Sequence, residues 1–247
     1  MKTLITTLVL ATVVATPSLF ADTLTVGKLE DPARNRLLTI STGETMLPGT
    51  VSFGIHEIFL GQLGFTTGEN LQWNASLALT PFPVIGTGHG GSGIAFIPYL
   101  SAGAKWQFTQ QRGGLGNMSL SSDLGTFLFE TTFNNTTINS TWNLGSVGLH
   151  AGIGLLTEID EWHTWLQGYG GVDVELGNDG QRLWKLMVEG VYQQSPQDMS
   201  SLMPARGGLA IRRASHNFIW DIGAYAAWPE LDQDPGLIPY GSLTWIF

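Results

Sequence analysis

The chain ends in the stretch Tyr240-Gly241-Ser242-Leu243-Thr244-Trp245-Ile246-Phe247, and this stretch decides the fold class. Successive side chains of a β-strand point to opposite faces, so odd- and even-numbered residues separate. The odd-numbered face carries Leu243, Trp245 and Phe247. In water, a terminal strand with such an apolar face would promote aggregation. In a lipid bilayer the same face is favourable, so the stretch predicts a membrane-spanning strand.

The stretch resembles the C-terminal closing strand of bacterial outer-membrane β-barrel proteins. Those strands have a terminal Phe and an aromatic residue two positions before it, here Phe247 and Trp245. Gly241 lies six residues before the end, where the usual signal has its glycine at five. The later hairpins, at 182–192, 207–228 and 239–247, are also similar to outer-membrane transporter barrels of uncharacterised function. The resemblance implies a β-barrel that the barrel assembly machinery of the outer membrane recognises through its last strand, and it implies no particular substrate.

The composition favours the same fold. Only 13% of the 247 residues are charged, about half of the ~25% that is typical of soluble domains. Beyond the N-terminus, no stretch reaches the ~20 apolar residues that a transmembrane helix needs. The 32 glycines and 9 tryptophans therefore fit strands whose outer face meets lipid. A soluble, glycine-rich β-sandwich is the alternative, since its strands also alternate.

Residues 1–21 have the features of a secretory signal peptide: Lys2 near the start, a short apolar run, and Ala21 at the predicted cleavage site. Cleavage after Ala15 is an alternative. The absence of cysteine excludes a lipoprotein anchor, disulfides and thiolate metal sites. We therefore expect export to the outer membrane of a Gram-negative-type bacterium, with membrane lipid and lipopolysaccharide as neighbours. The 20 acidic and 11 basic residues argue against nucleic-acid binding.

The mature chain divides into a loosely ordered polar segment at 22–35 and an all-β, antiparallel, up-and-down transmembrane β-barrel at 36–247. We expect about twelve strands, with ten as the alternative. The first, at 36–41, should pair with the closing strand, and the second, at 50–65, should contain a bulge at Glu57-Ile58. The further predicted strands are 71–80, 93–108, 116–129, 136–143, 147–156, 164–176, 182–192, 207–213, 217–228 and 239–247.

The predicted connections add independent support. Counted back from Phe247, nearly every second one is short, as at 214–216, 177–181 and 144–146. Transmembrane barrels alternate short periplasmic turns with longer outer loops. The pattern therefore places both termini of the barrel on the periplasmic side.

Almost every charge within a predicted strand falls on the face opposite the aromatic residues. A charge on the lipid face would cost ~2–4 kcal/mol at mid-bilayer, so this is the distribution expected of a barrel. The charged or polar side chains predicted to face the lumen are Lys105, Asp123, His150, Asp173, Glu175, Lys185, Glu189, Arg212 and Asp221. The aromatic side chains predicted to face the membrane are Trp73, Trp106, Trp184, Trp220, Trp245 and Phe247.

Two short turns should bring inward charges together. We expect Asp173 near Lys185, with Glu175 diagonal to the lysine, and Arg212 diagonal to Asp221. Such pairs either brace the barrel from within or form a charged constriction that selects solutes.

The sequence predicts no catalytic site, cofactor or metal. It contains no Gly-x-Ser-x-Gly elbow, and an enzyme would need a Ser or Asp that converges on His150, the one histidine on a clear inner face. His89 and His163 are expected to be solvated. The acidic loops at 158–161 and 230–234 are rich in the oxygen ligands that Ca²⁺ and Mg²⁺ prefer, but plain solvated loops are the favoured interpretation.

These observations predict a non-enzymatic outer-membrane barrel with a narrow polar pathway or binding lumen for a small solute. Eight strands can be filled by side chains and sixteen leave a water channel, so twelve predict a narrow or plugged pore. The first alternative is a structural or adhesive barrel that acts through its acidic outer loops. A less favoured alternative is a lipid-modifying enzyme of the outer membrane.

Overall fold

The computed structural model describes residues 28–56, 60–85, 92–111, 116–127, 131–194, 205–228 and 235–247, with the side chains of 79–85 and 92–97 left aside. Within these ranges the chain forms twelve β-strands. They are β1 (Val51–His56), β2 (Leu60–Thr67), β3 (Leu71–Ile85), β4 (Ser92–Thr109), β5 (Asn117–Phe127), β6 (Thr131–Leu144), β7 (Val147–Glu158), β8 (His163–Asn178), β9 (Leu183–Gln193), β10 (Ala205–Ala214), β11 (Phe218–Trp228) and β12 (Gly236–Ile246). No helix in the described ranges is long and apolar enough to cross a membrane.

Each strand pairs antiparallel with its neighbours in sequence, and β1 pairs with β12 to close the barrel. At the closure Phe53 lies opposite Trp245, and Ile55 lies opposite Leu243. The aromatic rings of Phe53 and Trp245 stack at 6.0 Å. The predicted all-β, antiparallel, up-and-down barrel of twelve strands is therefore confirmed.

Two of the predicted strands are wrong. Residues 36–41 are not a barrel strand, since their pairing is a single bridge between Arg36 and Ser41. The predicted strand at 50–65 is two strands, β1 and β2, which pair with each other as a hairpin. Only residues 57–59 separate them, too few to interrupt the run of strand-forming residues in the sequence. The bulge predicted at Glu57-Ile58 lies outside the described residues. The two errors offset each other, which is why the number of strands is right.

The outer face of the barrel is apolar. Exposed large side chains include Leu63, Leu77, Trp106, Ile138 and Leu209. A continuous belt of this kind is unusual in water and typical of a lipid-facing surface. Arg213 is a charge on this face, at the end of β10, where its guanidinium lies 5.6 Å from the centroid of a Trp184 ring.

The barrel has two ends. At the end where β1 begins and β12 finishes, called here the terminal end, the turns at 68–70, 145–146, 179–182 and 215–217 are short and the connection at 110–116 is longer. At the opposite loop end, the connections at 86–91, 194–204 and 229–235 are long, but those at 57–59, 128–130 and 159–162 are not. The predicted alternation of connection lengths is therefore correct for the last two hairpins and wrong around β5 to β8, because those strands extend further than predicted.

Residues 28–50, called here the plug segment, lie inside the barrel. Their side chains and backbone bond to β4, β6, β9 and β11, which lie on different sides of a closed barrel, so the segment can only occupy the lumen. The expectation of a loosely ordered segment is wrong for residues 28–35, because Leu29 and Ala33 are buried against the wall.

Both ends of the plug segment lie at the terminal end of the barrel. The Leu29 amide donates to Asn178 Oδ1, at the last residue of β8. The other end of the segment is Thr50, one residue before β1 begins. The Thr50 amide donates to Thr66 Oγ1. The segment therefore enters and leaves the lumen by the same opening.

Candidate functional site

The candidate site is the lumen and the contacts that hold the plug segment in it. Among the described residues, its largest fully buried side chain is that of Arg212, which is only 1% exposed. Its Nε lies 2.8 Å from Asp221 Oδ1, and its Nη1 lies 3.2 Å from Asp31 Oδ2 of the plug. The same guanidinium donates to the carbonyl oxygens of Ala33 and Leu37. A buried cation is tolerated only when it is paired and hydrogen-bonded, and three of these four partners belong to the plug.

Lys185 joins the plug to the next part of the wall. Its Nζ lies 3.1 Å from both Asp31 Oδ2 and Asp173 Oδ1. The predicted contacts of Asp173 with Lys185 and of Arg212 with Asp221 are both present. The geometry of both pairs differs from the prediction. A register shift near Gly177 sets Glu175 directly opposite Lys185 and makes Asp173 the diagonal partner. Arg212 lies directly opposite Asp221, and the predicted diagonal placement of this pair is wrong.

Glu175 itself binds Lys28 of the plug, with Nζ and Oε1 2.7 Å apart. At the other side of the wall, Arg36 of the plug reaches Asp221 at 3.2 Å and Thr244 Oγ1 at 3.2 Å. Sequence reasoning missed the plug partners of these charges, although it identified the wall residues.

Asp31 is the plug carboxylate on which two wall cations converge. Burial alone would raise the pKa of Asp31, but the charges of Lys185 and Arg212 and a hydrogen bond from the Ala33 amide outweigh it, so its pKa lies below the ordinary value. The folded-state pKa is depressed, so these ion pairs stabilise the plugged state above about pH 4 and are lost only as the pH falls through the lower folded value. The Asp31 carboxylate is thus ionised throughout the neutral pH range.

Glu189 binds the backbone of residues 38–40, called here the tip of the plug. Its carboxylate accepts hydrogen bonds from the amides of Leu38, Thr39 and Ile40 and from the Thr39 hydroxyl. Several N–H groups that converge on one anion form a backbone nest. Glu189 therefore satisfies three backbone N–H groups of the tip that do not pair with a strand.

Apolar contacts support the same part of the plug. Leu37, Leu38 and Ile40 pack in one cluster with wall side chains, which are Met187, Ala210, Tyr225 and Tyr240. Leu29 and Ala33 pack in a second cluster with Leu183, Ala214 and Ile219. We call residues 31–40, with these ionic and apolar contacts to β8–β12, the charged arm of the plug.

Residues 42–46 form the neutral arm, which contacts β3–β6 mainly through uncharged hydrogen bonds. The Thr45 amide donates to Gln107 Oε1 and the Met46 amide to Gln72 Oε1, each at 3.0 Å. The Glu44 carboxylate accepts from the side-chain amides of Asn117 and Asn143, at 2.8 and 3.0 Å. This arm therefore rests on amide and hydroxyl groups of the wall.

Gly43 marks the closest approach of the neutral arm to the wall. Its amide donates to Thr141 Oγ1 at 2.8 Å. A Cβ atom at Gly43 would lie 1.9 Å from the carbonyl oxygen of Asn117, which is well inside contact distance. Only glycine allows the backbone of the plug to lie this near the wall.

His150 lies beneath Gly43 in a chain of buried groups. Its Nδ1 is 2.9 Å from Thr141 Oγ1, and its Nε2 is 2.7 Å from Asp173 Oδ2. A hydroxyl, an imidazole and a carboxylate in a row resemble a catalytic triad in outline. However, the Thr141 hydroxyl accepts the Gly43 amide and Lys185 holds Asp173, so the row is occupied in bracing the plug against the wall.

The remaining predicted lumen residues differ in burial. Lys105 is buried, and its Nζ donates to the carbonyl oxygen of Asn35 at 3.0 Å. Asp123 is half-buried and lies across β4 and β5 over Gly103, where a Cβ atom would be 2.1 Å from its Oδ1. Of the aromatic residues predicted to face lipid, Trp73, Trp106, Trp184 and Phe247 are exposed, and Trp220 and Trp245 are half-buried among other rings.

Nearer the loop end, the lumen is lined by uncharged polar groups and tyrosines. Gln167 Nε2 on β8 donates to Asn135 Oδ1 on β6. Tyr169 lies over Gly152, and Tyr99 lies over Gly125, where an added Cβ atom would be 2.3 and 2.2 Å from the respective side chains. The glycines thus leave room for the rings to lie against the wall.

No protein-family model matches the chain, and no curated protein matches it. Solved structures do match. KdgM porin in complex with disordered oligogalacturonate superposes with a TM-score of 0.50 at 5% sequence identity, covering 80% of this chain and 95% of that chain. A structure of KdgM porin superposes with a TM-score of 0.49 at 4% identity, covering 80% of this chain and 96% of that chain. At such low identity the likeness concerns the fold alone: the chain folds as a porin-like β-barrel.

Proposed function

We propose that this protein is an outer-membrane barrel that conducts or binds a small polar solute, and that the plug segment closes its lumen at rest. The terminal end then faces the periplasm. The observation that carries the proposal is that the buried cations of the wall bond to oxygen atoms of the plug. Asp31 supplies a carboxylate to both Lys185 and Arg212, and Asn35 supplies a carbonyl to Lys105. The lumen is thus blocked by the plug segment, which is not one of the barrel strands.

The lining indicates the class of solute. Near the loop end it offers amide and hydroxyl groups beside tyrosine rings, with Asp123 as a carboxylate. Apart from Arg206 at the rim, the cations described in the lumen donate to oxygen atoms of the plug or wall: Arg34, Arg36, Lys105, Lys185 and Arg212. Once the plug has left, Lys185 and Arg212 still pair with Asp173 and Asp221 of the wall, so a polyanion such as the oligogalacturonate bound by KdgM porin would find few free cations. A neutral, hydroxyl-rich solute fits the lining better.

Removal of the plug tests the proposal. A variant that lacks residues 28–46, with the signal peptide kept, should give large, stable conductance in planar bilayers, whereas the full chain should be largely closed. Liposome-swelling rates with neutral sugars should rise in the same variant. Folding is checked by gel migration, since an intact barrel runs faster unheated than boiled. A folded deletion variant that remains silent and impermeable would contradict a channel function, and a full chain that conducts as well as the deletion would contradict closure by the plug.

A further inference from the structure

The turn between β7 and β8 brings three potential metal ligands together at the loop end, away from the plug. Glu158 ends β7 and lies directly opposite His163, which begins β8. Glu161 lies in the turn between them. His163 Nδ1 is 3.3 Å from Glu161 Oε2 and 4.0 Å from Glu158 Oε2. The three ligand atoms all lie within 4.8 Å of one another.

Glu158 provides the second observation. The residue is only 5% exposed, yet its Oε2 has no hydrogen-bond partner among the described residues. The distance of 4.0 Å to His163 is too long for a hydrogen bond. A buried carboxylate oxygen without a partner is costly, and a bound cation would offset this cost. By contrast, Asp160 of the same turn is already engaged, since it accepts the Thr132 amide at 2.6 Å.

The geometry points to a binding site for one divalent transition-metal ion, with Zn²⁺ as the best fit. One imidazole nitrogen and two carboxylate oxygens match the ligands that zinc takes in proteins. Metal–ligand distances of about 2.0–2.2 Å place ligands roughly 3.4 Å apart in a tetrahedron. The pair formed by Glu161 and His163 already has this spacing, and Glu158 Oε2 must come about 0.6 Å nearer to His163 Nδ1 to reach it.

The exposed fractions of the ligands fit an accessible site. The side chains of His163 and Glu161 are 61% and 65% exposed, so an ion can enter from solvent and keep water in its fourth position. Ca²⁺ and Mg²⁺ prefer six or more oxygen ligands, so this nitrogen-containing set should discriminate against them. The competing explanation is a metal-free contact, in which His163 alone faces the two carboxylates.

Calorimetric titration of the full-length mature protein in detergent, freed of metal by a chelator, separates the two explanations. Zn²⁺ should bind with one equivalent per chain, and a large excess of Mg²⁺ or Ca²⁺ should not displace it. His163→Gln and Glu158→Gln should each weaken binding by about tenfold or more. His216→Gln, at an exposed histidine in the opposite-end turn between β10 and β11, is the matched control and should bind as the wild type does.

Absence of one-equivalent binding, equal competition by Mg²⁺, or undiminished binding by His163→Gln would overturn the proposal. Co²⁺ provides an independent readout, because its visible absorption should be intense with the wild type and weak with His163→Gln. If Glu158→Gln does not give a heat-modifiable, folded barrel, Glu161→Gln replaces it, since that side chain is exposed and its substitution leaves the core intact.

Discussion

The two arms of the plug meet the barrel wall with different chemistry. The charged arm inserts Asp31 between Lys185 and Arg212, whereas the neutral arm rests on Gln72 and Gln107. Removing one partner of a buried ion pair costs about 3–5 kcal/mol, because the other charge is left uncompensated. Losing a neutral hydrogen bond costs about 0.5–1.5 kcal/mol. The difference indicates that the charged arm anchors the plug and that the neutral arm detaches more readily.

The largest expected effect comes from Arg212→Met. This change leaves Asp31 and Asp221 short of a buried cation, although Lys185 and Arg36 still contact them. The plugged state should therefore lose about 3 kcal/mol, the lower end of the range for a broken buried pair. Single-channel recording should show frequent opening of the folded variant.

The neighbouring Arg213→Met is the matched control. Arg213 faces outward over Trp184, so its loss should leave conductance unchanged. Equal conductance in the two variants would contradict the anchoring role of the charged arm.

A smaller effect is expected from Gly43→Ala in the neutral arm. The new methyl group would meet the Asn117 carbonyl oxygen and the Thr141 amide, so the backbone must move away and lose its bond to Thr141. Overpacking of this kind costs about 1–3 kcal/mol. The chain has no cysteine, so a Thr45→Cys background gives a unique label site that is buried in the wild type.

Labelling by a bulky maleimide should be faster in Gly43→Ala than in the background alone. Gly190→Ala is the control, because a Cβ atom there would meet nothing within 4 Å. If Gly43→Ala labels no faster than Gly190→Ala, the neutral arm does not detach on its own.

The smallest effect is expected from Gln107→Leu. The change removes the Oε1 atom that accepts from both the amide and the hydroxyl of Thr45. A loss of about 1–2 kcal/mol for a buried acceptor should increase plug release several-fold, short of the effect of Arg212→Met. Protease cleavage within residues 42–46 measures it.

Gln181→Leu, in the exposed turn between β8 and β9, serves as its control and should be cleaved at the wild-type rate. A Gln107→Leu variant that releases the plug as readily as Arg212→Met would remove the distinction between the two arms.

The barrel wall follows local rules, and so much of it could be predicted. In the closing strand, Tyr240, Ser242 and Thr244 are buried inward while Leu243 and Phe247 are exposed, as strict alternation requires when one face meets lipid. The same rule correctly predicts Lys185, Arg212 and Asp221 as inward charges.

The plug follows no such rule. Leu37, Leu38 and Ile40 read as part of a short strand, but they are buried by Met187, Tyr225 and other residues that lie far along the chain. A segment that fills a lumen takes its conformation from the surrounding wall and has no period of its own. The hairpin between β1 and β2 escapes prediction for a different reason, since only residues 57–59 separate its two strands.

The proximity of Glu158 and His163 at the β7–β8 turn can be predicted from the sequence. With correct strand ends, the hairpin register sets Glu158 opposite His163 directly. The predicted loop at 157–163 is longer than the connection at 159–162, and this error leaves Glu158 and His163 in a solvated loop and off the strands. What the sequence could not show is the burial of the Glu158 carboxylate, which depends on how the barrel rim packs.

The shared opening used by both ends of the plug has a mechanical consequence. A pull applied to the chain upstream of Lys28 at the terminal end would load the contacts one after another, first Lys28 with Glu175, then Asp31 with its two cations, and later the tip and the neutral arm. Rupture of the Asp31 cluster sets the force threshold, and the rest follows without threading through the barrel. The released segment stays joined to Val51 by a tether of about 80 Å at full extension, so it can refill the lumen once the force ends.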